Sequence, residues 1–242
     1  MSSRSRRAGL AAVPLAAALA LGGCGVGTPR PARTPTAPAT TTAAPRPAVY
    51  FLGDSYTVGV NETPTSRTYA SVLARWQGWR TAIAGYPFAG FVHRDKHDRD
   101  YADLFRRKLA AHPAPRMLVI AGAHNDRRES ARRIRLKASL LLAGVHRYWP
   151  RTRLVVVGPM WGGDPTPGAL RVRGAVRSAA HAHRVPFIDP LGERWITGDP
   201  EKGTGNAARY VLPDHTHPTT AGHRHMARRL RTDLTNRRLL PS

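Results

Sequence analysis

In this 242-residue chain, the clearest indication of the fold is the segment Ala48-Val49-Tyr50-Phe51-Leu52-Gly53-Asp54-Ser55. Its five leading apolar residues predict a buried strand, and Gly53 permits a tight turn at the end of that strand. Asp54 and Ser55 are residue types that often begin helices. A buried strand that leads directly into a helix is the repeating unit of a parallel sheet with helices on its faces.

The rest of the chain continues this alternation of strands and helices. Short apolar runs predict strands at residues 79–84, 117–120, 154–157 and 185–188, and apolar residues at helical spacing predict helices at 69–76, 100–111, 129–148 and 169–183. A last helix is expected to begin near Pro218, because proline suits a first helical turn. The pattern predicts an α/β fold with a five-stranded parallel sheet covered by helices on both faces.

Residues that could form a functional site follow each of the first three predicted strands. Ser55 follows the first strand, Gly85 the second and Asn125 the third. The carboxyl ends of parallel strands lie at one edge of the sheet, which is where ligands of such folds bind. We therefore expect a functional site at this edge that contains Ser55 and Asn125.

Ser55 and Asn125 supply two of the groups that acyl transfer needs. A serine hydroxyl can attack a carbonyl carbon, and a side-chain amide can donate to the developing oxyanion without changing charge. The structural alternatives are that Asp54-Ser55 cap one helix and that Asn125-Asp126 cap another. We expect Asp126 to cap the helix after the third strand and so to leave Asn125 free. The nucleophile motif G-x-S-x-G does not occur at Ser55.

The segment Asp214-His215-Thr216-His217 supplies the remaining groups. In a turn, this spacing lets the Asp214 carboxylate reach Nδ1 of His217 and leaves Nε2 to take a proton from Ser55. A metal site is the alternative, and its candidate ligands are Asp214, His215, His217, His223 and His225. We favour the serine site, because no second group of ligands supports a metal. The last two of these histidines are expected on the solvent face of the final helix.

Together these segments resemble the SGNH (GDSL-type) hydrolase family over residues 48–232. Gly53-Asp54-Ser55 resembles the nucleophile block, Gly122-Ala123-His124-Asn125-Asp126 the G-x-x-N-D block, and Asp214-x-x-His217 the D-x-x-H-P block with its proline at Pro218. The resemblance implies a flavodoxin-like three-layer α/β/α sandwich and ester or acetyl hydrolysis without a cofactor or metal. It also implies that Ser55 is the nucleophile, His217 the base and Asp214 the orienting acid.

One block departs from the family pattern N-A-G-x-x-G, whose last glycine donates its N–H to the oxyanion. The corresponding segment reads Ile83-Ala84-Gly85-Tyr86-Pro87-Phe88-Ala89-Gly90, with Phe88 at that glycine position. The resemblance then implies an oxyanion hole formed by the Ser55 N–H, the Asn125 amide and an N–H from Phe88 or Gly90. The bulk of Phe88 and the rigidity of Pro87 lead us to expect a small acyl group.

Residues 1–23 have the pattern of a bacterial lipoprotein signal peptide. Three arginines within the first seven residues precede an apolar stretch that is too short to span a bilayer stably. The sequence Leu21-Gly22-Gly23-Cys24 then resembles a lipobox. Cys24 is the only cysteine of the chain, so no intramolecular disulfide can form. This favours lipidation of Cys24, and an ordinary secretory signal is the alternative.

The residues that follow the signal divide into a tether and one domain. Residues 24–47 are rich in Pro, Thr and Ala and are expected to form an extended, partly polyproline tether behind the lipidated cysteine. Residues 48–242 are expected to form the hydrolase domain. We expect a monomer that is held to the outer face of the bacterial cytoplasmic membrane by the lipid on Cys24.

The chain carries 38 basic and 15 acidic residues, a formal charge of +23. Such a charge often indicates a nucleic-acid partner, but export would separate the chain from nucleic acid, and we expect no such partner. Anionic lipid head groups or wall polymers fit better. Five arginines follow Asn125 closely: Arg127, Arg128, Arg132, Arg133 and Arg135. They form either a solvated helix face or an edge that steers an anionic polymer or lipid toward Ser55.

The leading hypothesis is an extracytoplasmic serine esterase that hydrolyses short acyl or acetyl esters through an acyl-enzyme on Ser55. An O-acyltransferase of cell-wall glycans would use the same residues and differ only in the acceptor. A wall-binding lipoprotein without turnover is a third hypothesis, and the presence of Ser55, Asn125, Asp214 and His217 argues against it.

Overall fold

The computed structural model describes residues 45–60 and 63–241. The predicted signal peptide (1–23), Cys24 and the predicted tether up to residue 44 lie outside the described residues. Ala44–Ser242 forms one compact unit. In the part of the chain that the structure describes, no helix combines the length and the apolar character needed to cross a membrane.

Five parallel strands form one sheet, which confirms the predicted fold class. The strands are β1 (Ala48–Gly53), β2 (Arg80–Gly85), β3 (Met117–Ala121), β4 (Arg153–Val157) and β5 (Phe187–Ile188). Their spatial order is β2-β1-β3-β4-β5. The direction of winding therefore reverses between β1 and β3, and the crevice beyond the carboxyl ends of these two strands is where such sheets bind ligands.

The strand register brings three loops to one level of the sheet. Gly53 at the end of β1 pairs with Gly85 of β2 on one side and with Ala121 of β3 on the other. A Cβ atom on Gly53 would lie 2.1 Å from Thr57 Oγ1 and 2.6 Å from the Ala121 carbonyl oxygen. Only glycine allows the chain to turn this closely from β1 into the helix that carries Ser55.

Helices cover both faces of the sheet and complete a three-layer sandwich. They are α1 (Ser55–Val58), α2 (Tyr69–Trp76), α3 (Tyr101–Lys108), α4 (Ala131–Tyr148), α5 (Pro167–Ala182), α6 (Ala207–Tyr210) and α7 (Thr220–Asn236). Leu104, Ile134 and Val176 of α3, α4 and α5 belong to the core on one face. Leu73 of α2 and Leu230 of α7 belong to the core on the other. The sheet is buried on both sides, as its continuous apolar strands require.

Helix α4 begins at Ala131, two residues later than the sequence predicts. The Ser130 hydroxyl accepts the backbone N–H of Arg133 at 3.3 Å and caps this helix. The expectation that Asp126 is the cap is therefore wrong. The Asp126 carboxylate points instead into the loop after β2.

The start of α7 also differs from the prediction. This helix begins at Thr220, and the Thr219 hydroxyl caps it by accepting the backbone N–H of Gly222 at 3.0 Å. Pro218 lies before the first turn and pairs with Val211 in an isolated antiparallel bridge. The proline thus closes the loop that carries the predicted base rather than starting the helix.

Candidate active site

Ser55 is the first residue of α1 and lies directly after β1. Its neighbour Asp54 caps this helix, because Asp54 Oδ1 accepts the backbone N–H of Tyr56 at 3.0 Å. Of the pair Asp54-Ser55, Asp54 therefore caps the helix as the structural alternative expects, but Ser55 does not. Its hydroxyl is directed to the histidine described next, and the residue is 6% exposed.

Ser55, His217 and Asp214 form a continuous hydrogen-bonded series. Ser55 Oγ lies 3.0 Å from His217 Nε2, and Asp214 Oδ2 lies 2.8 Å from His217 Nδ1. The carboxylate fixes the tautomer with hydrogen on Nδ1, so that Nε2 accepts the serine proton. The structure thus brings together the three residues that the sequence assigns to nucleophile, base and acid.

The turn at 214–217 is held mainly by its own carboxylate. Asp214 Oδ1 accepts the backbone N–H groups of Thr216 at 3.0 Å and His217 at 2.9 Å. Partial burial opposes ionisation of Asp214, but these N–H groups and the His217 ring outweigh it and lower the pKa of Asp214. The Tyr56 hydroxyl donates to the Thr216 carbonyl and ties the turn to α1. Nothing in the local sequence pattern indicated this role of Tyr56.

A cavity of 370 Å³ opens in front of the serine. It is lined by Ser55, Val60, Pro87, Phe88, His93, His124, Asn125, Arg127, Arg128, Thr216 and His217. Its walls come from the loops after β1, β2 and β3 and from the turn at 214–217. The edge of the sheet at which the sequence predicted a site is therefore the edge that holds the cavity.

Asn125 lies in a 3₁₀ helix, His124–Arg128, directly after β3. Its Nδ2 donates one hydrogen to the Ala89 carbonyl at 3.0 Å. A primary amide has a second hydrogen on the same nitrogen, and Asn125 lines the cavity beside Ser55. Asn125 is thus positioned by the loop after β2 and keeps one donor for a ligand.

The loop after β2 offers Phe88, and not Gly90, as a further backbone donor. Gly90 uses its N–H on the His93 carbonyl at 2.9 Å, so the expectation that it completes an oxyanion hole is wrong. Within the described residues, the Phe88 N–H has no hydrogen-bond acceptor. Phe88 has a φ of 69°, the left-handed conformation that glycine adopts readily. The backbone therefore keeps the shape of a glycine position although the side chain is aromatic.

Asp126 fixes this loop from the other side of the crevice. Its carboxylate accepts the backbone N–H groups of Phe91 at 2.8 Å, Val92 at 3.0 Å and His93 at 2.8 Å. Burial raises the pKa of Asp126, and the three N–H donors oppose that rise. Sequence reasoning missed this role, because its partners lie more than thirty residues earlier in the chain.

Asp54 is a second buried carboxyl at the site. Tyr101 donates its hydroxyl to Asp54 Oδ2 at 3.1 Å and accepts the Ala123 N–H at 3.0 Å. The tyrosine therefore links the loop that holds the nucleophile to the loop that holds Asn125. Burial raises the pKa of Asp54 to about 6, although the Tyr56 N–H and the Tyr101 hydroxyl partly oppose it.

The histidines near the C-terminus have separate roles. His223 is buried, and its Nδ1 accepts the Tyr69 backbone N–H at 3.2 Å. His225 Nε2 donates to the Trp195 carbonyl at 2.7 Å. The expectation that both lie on a solvent face is therefore wrong. No group of three or more His, Cys, Asp or Glu side chains among the described residues is arranged to hold a metal ion.

The five arginines after Asn125 divide into two groups. Arg127 and Arg128 line the cavity, whereas the other three belong to α4 and do not. Of those three, Arg133 pairs with Glu129 at 2.7 Å. From the sequence, all five are considered as one group. In the structure, Arg127 and Arg128 belong to the 3₁₀ helix and the other three to α4.

The arrangement has the parts of a serine-dependent acyl transfer site. A hydroxyl contacts a base, the base contacts an orienting carboxylate, and Asn125 and Phe88 line the same cavity as the hydroxyl. A reacting carbonyl in the cavity would meet both the nucleophile and these donors.

Comparisons with known proteins agree with this chemistry. A sequence profile of the GDSL-like Lipase/Acylhydrolase family matches residues 51–225. A GDSL lipase of Mycobacterium tuberculosis is 28% identical over 189 residues, which are 74% of this chain and 78% of that protein.

Solved structures share the fold at lower identity. A lipase/acylhydrolase from Enterococcus faecalis has a TM-score of 0.61 at 14% identity over 79% of this chain and 96% of its own. A family two carbohydrate esterase from Clostridium thermocellum has a TM-score of 0.59 at 21% identity over 81% of this chain and 66% of its own. With the profile match across most of the domain, the chain belongs to the GDSL-like lipase/acylhydrolase family and is an ester hydrolase.

Proposed function

We propose that this protein hydrolyses short-chain acyl or acetyl esters through an acyl-enzyme on Ser55. The observation that carries the proposal is the series Ser55 Oγ–His217 Nε2 at 3.0 Å and His217 Nδ1–Asp214 Oδ2 at 2.8 Å. These are the contacts that a serine nucleophile and its base need before substrate binds.

In the proposed mechanism, Ser55 Oγ attacks the ester carbonyl carbon while His217 Nε2 takes the hydroxyl proton. The Ser55 and Phe88 N–H groups and the Asn125 amide hold the oxyanion. The tetrahedral intermediate collapses, and His217 gives the proton to the leaving alcohol. Water then attacks the acyl-enzyme with the same histidine as base and releases the carboxylic acid.

The preference for a short acyl group is supported by the cavity wall. The Phe88 ring and Pro87 stand at the cavity, and the whole cavity holds 370 Å³. Relatives include both a lipase and a carbohydrate esterase. An acetyl or similarly short ester on a lipid, a glycan or a small molecule would therefore suit this site.

The extracytoplasmic location and the lipid anchor on Cys24 are part of the proposal and rest on the sequence of residues 1–47. The amino ends of the strands lie at the edge of the sheet opposite Ser55. Basic residues at that edge support an orientation in which it faces a membrane. Arg80 and Arg153 are the first residues of β2 and β4, and β1 begins at this edge directly after residue 47. Such basic residues are attracted by anionic lipid head groups. Replacing Cys24 by Ala should move the protein from the membrane fraction to the soluble exported fraction.

The central test is release of p-nitrophenol from acetyl, butyryl and octanoyl esters by residues 44–242, which form a compact unit with both cores. The wild type should prefer the shorter esters, and Ser55→Ala should lose turnover at every chain length. Ser66→Ala, an exposed serine, serves as the matched control and should retain full activity. Turnover that survives in Ser55→Ala would contradict the mechanism. Product analysis with an added glycan acceptor separates hydrolysis from acyl transfer, since only transfer acylates the glycan.

A further inference from the structure

The described walls of the cavity at Ser55 carry positive charge without a matching carboxylate. Arg127 and Arg128 line it together with three histidines, and no Asp or Glu is among the described residues that line it. The nearby carboxylates are engaged elsewhere. Asp126 accepts three backbone N–H groups, and Asp214 accepts the His217 ring N–H.

The two guanidinium groups are not used within the described protein. Neither Arg127 nor Arg128 forms an ion pair or donates a side-chain hydrogen bond to any described residue. Arg171 contrasts with them, because it donates from Nη2 to the Arg127 carbonyl at 2.6 Å and from Nε to the Glu129 carbonyl at 3.2 Å. The backbone beneath the two arginines is thus anchored while their charged groups remain available to a ligand.

The charge of Arg127 already acts on groups at the site. Burial chiefly, and the Arg127 charge next, lower the pKa of His124 to about 4, so this cavity-lining ring is neutral. Arg127 and Arg128 follow Asn125 by two and three positions in the same 3₁₀ helix, which is about 6 Å along its axis at most. Both arginines and Asn125 line one cavity, so an anion held by the arginines and a carbonyl held by Asn125 can belong to the same ligand.

From these observations we propose that the preferred substrate is an ester that carries a negative charge, a carboxylate or a phosphate, close to the scissile carbonyl. This inference rests on the proposed function and names its substrate class. Arg127 and Arg128 are its specificity-determining residues, because positive charge in a cleft concentrates anionic substrate and a guanidinium binds such groups with two donors. The charge can belong to the acyl part or to the alcohol part of the ester.

The test compares charged and neutral esters of nearly the same shape. One pair places the charge on the acyl part: mono-p-nitrophenyl adipate and p-nitrophenyl hexanoate. The other places it on the alcohol part: 4-acetoxybenzoate and methyl 4-acetoxybenzoate. The readout is the ratio of kcat/KM for the charged ester to that for its neutral partner, measured at low and at high salt.

In the double variant Arg127→Gln/Arg128→Gln, this ratio should fall about tenfold for at least one pair at low salt, and less at 0.5 M NaCl. The pair that responds identifies the part of the substrate that carries the charge. Arg132→Gln/Arg135→Gln removes the same two charges from exposed positions of α4 outside the cavity and should leave both ratios unchanged. Unfolding midpoints of the variants should match, which excludes a folding defect.

An unchanged ratio for both pairs in the double variant would overturn the inference. An equal loss for charged and neutral esters would also overturn it, because the arginines would then support the site and not select charge. Neither result bears on the proposed function, which fails separately if Ser55→Ala keeps turnover of the neutral esters.

Discussion

The turn at 214–217 and the loop at 86–99 both form walls of the cavity at Ser55, but they are held in different ways. The turn folds around its own Asp214, whose carboxylate accepts N–H groups two and three residues later. The loop is held by Asp126, which lies 33 to 35 residues beyond its partners. A change in the turn should therefore disturb chemistry alone, whereas a change at Asp126 should disturb structure first.

The largest effect is expected from Asp214→Asn in the turn. Asn keeps an oxygen for the Thr216 and His217 N–H groups, but its amide nitrogen cannot accept the His217 Nδ1 hydrogen. The imidazole loses its orientation and the charge that stabilises its protonated form, so kcat should fall about 1,000- to 10,000-fold. Stability should change by less than about 1 kcal/mol, because the residue is exposed.

Steady-state kinetics with p-nitrophenyl acetate and urea unfolding check both statements for this variant. Asp164→Asn, an exposed aspartate outside the cavity lining, is the control. A kcat within tenfold of the wild type would mean that the carboxylate does not orient His217. A large loss of stability would mean that the turn is not locally determined.

Asp126→Ala, in contrast to Asp214→Asn, is expected to cause a large loss of stability. Removal of this carboxylate leaves the Phe91, Val92 and His93 N–H groups without their acceptor in a buried place. The free energy of unfolding should fall by about 3–5 kcal/mol, since each buried donor without a partner costs about 1–3 kcal/mol and some regain water. Activity should fall as well, because the Ala89 carbonyl that holds Asn125 belongs to the same loop.

Urea unfolding of Asp126→Ala beside Asp164→Ala measures this effect. A loss no larger than that of the exposed control would show that the three hydrogen bonds do not hold the loop. A stable variant with impaired turnover would place Asp126 in the chemistry and not in the structure.

The same distinction, between contacts with neighbouring residues and contacts with distant ones, decides which features could be predicted from the sequence. Strand β3 and the turn were predictable, because a buried apolar run and an Asp-x-x-His spacing act over a few residues. Asp126 was misread as a helix cap, since its local context suits a cap equally well and only the folded chain brings the residue 91–93 amides to it. Tyr101 gave no signal at all, because its partners Asp54 and Ala123 lie 47 and 22 residues away.

Asp54 makes one contact with a neighbouring residue and one with a distant residue, and its burial leads to a prediction about how stability depends on pH. It caps its own helix through the Tyr56 N–H and contacts Tyr101 from a distance. Burial raises its pKa to about 6, against about 3.9 for an unfolded aspartate. The folded state therefore binds more protons between these values. The favourable contribution of Asp54 to the free energy of unfolding is present below about pH 4 and is lost as the pH rises through about 6.

Asp54→Asn removes this titration and preserves the shape of the side chain. The unfolding free energy of the variant relative to the wild type should rise by about 2 kcal/mol between pH 4 and pH 7.5, because the two pKa values differ by about two units and most of that difference is titrated within this range. Urea unfolding at pH 4, 5, 6 and 7.5 measures the difference, in which all other titrating groups cancel. A difference that does not depend on pH would mean that Asp54 titrates alike in the folded and unfolded chains.

The smallest effect is expected at Phe88, where the loop departs most from the family pattern. The proposed oxyanion donor at this position is the backbone N–H, so loss of the ring should leave turnover of p-nitrophenyl acetate within about threefold. The ring is 64% exposed and lines the cavity, so Phe88→Ala should improve the relative kcat/KM for the octanoyl ester several-fold by opening that wall.

Phe88→Gly separates the ring from the backbone strain. Both variants remove the ring, but only glycine adopts a φ of 69° without a penalty of about 1 kcal/mol. Glycine also gains about 0.5–1 kcal/mol of freedom in the unfolded chain, so the two variants should have nearly equal stability and the same chain-length preference. If Phe88→Gly lost activity a hundredfold while Phe88→Ala did not, the restricted backbone at residue 88 would be what positions the donor. The loop would then depend on a local constraint, as the turn does, in addition to its distant partner Asp126.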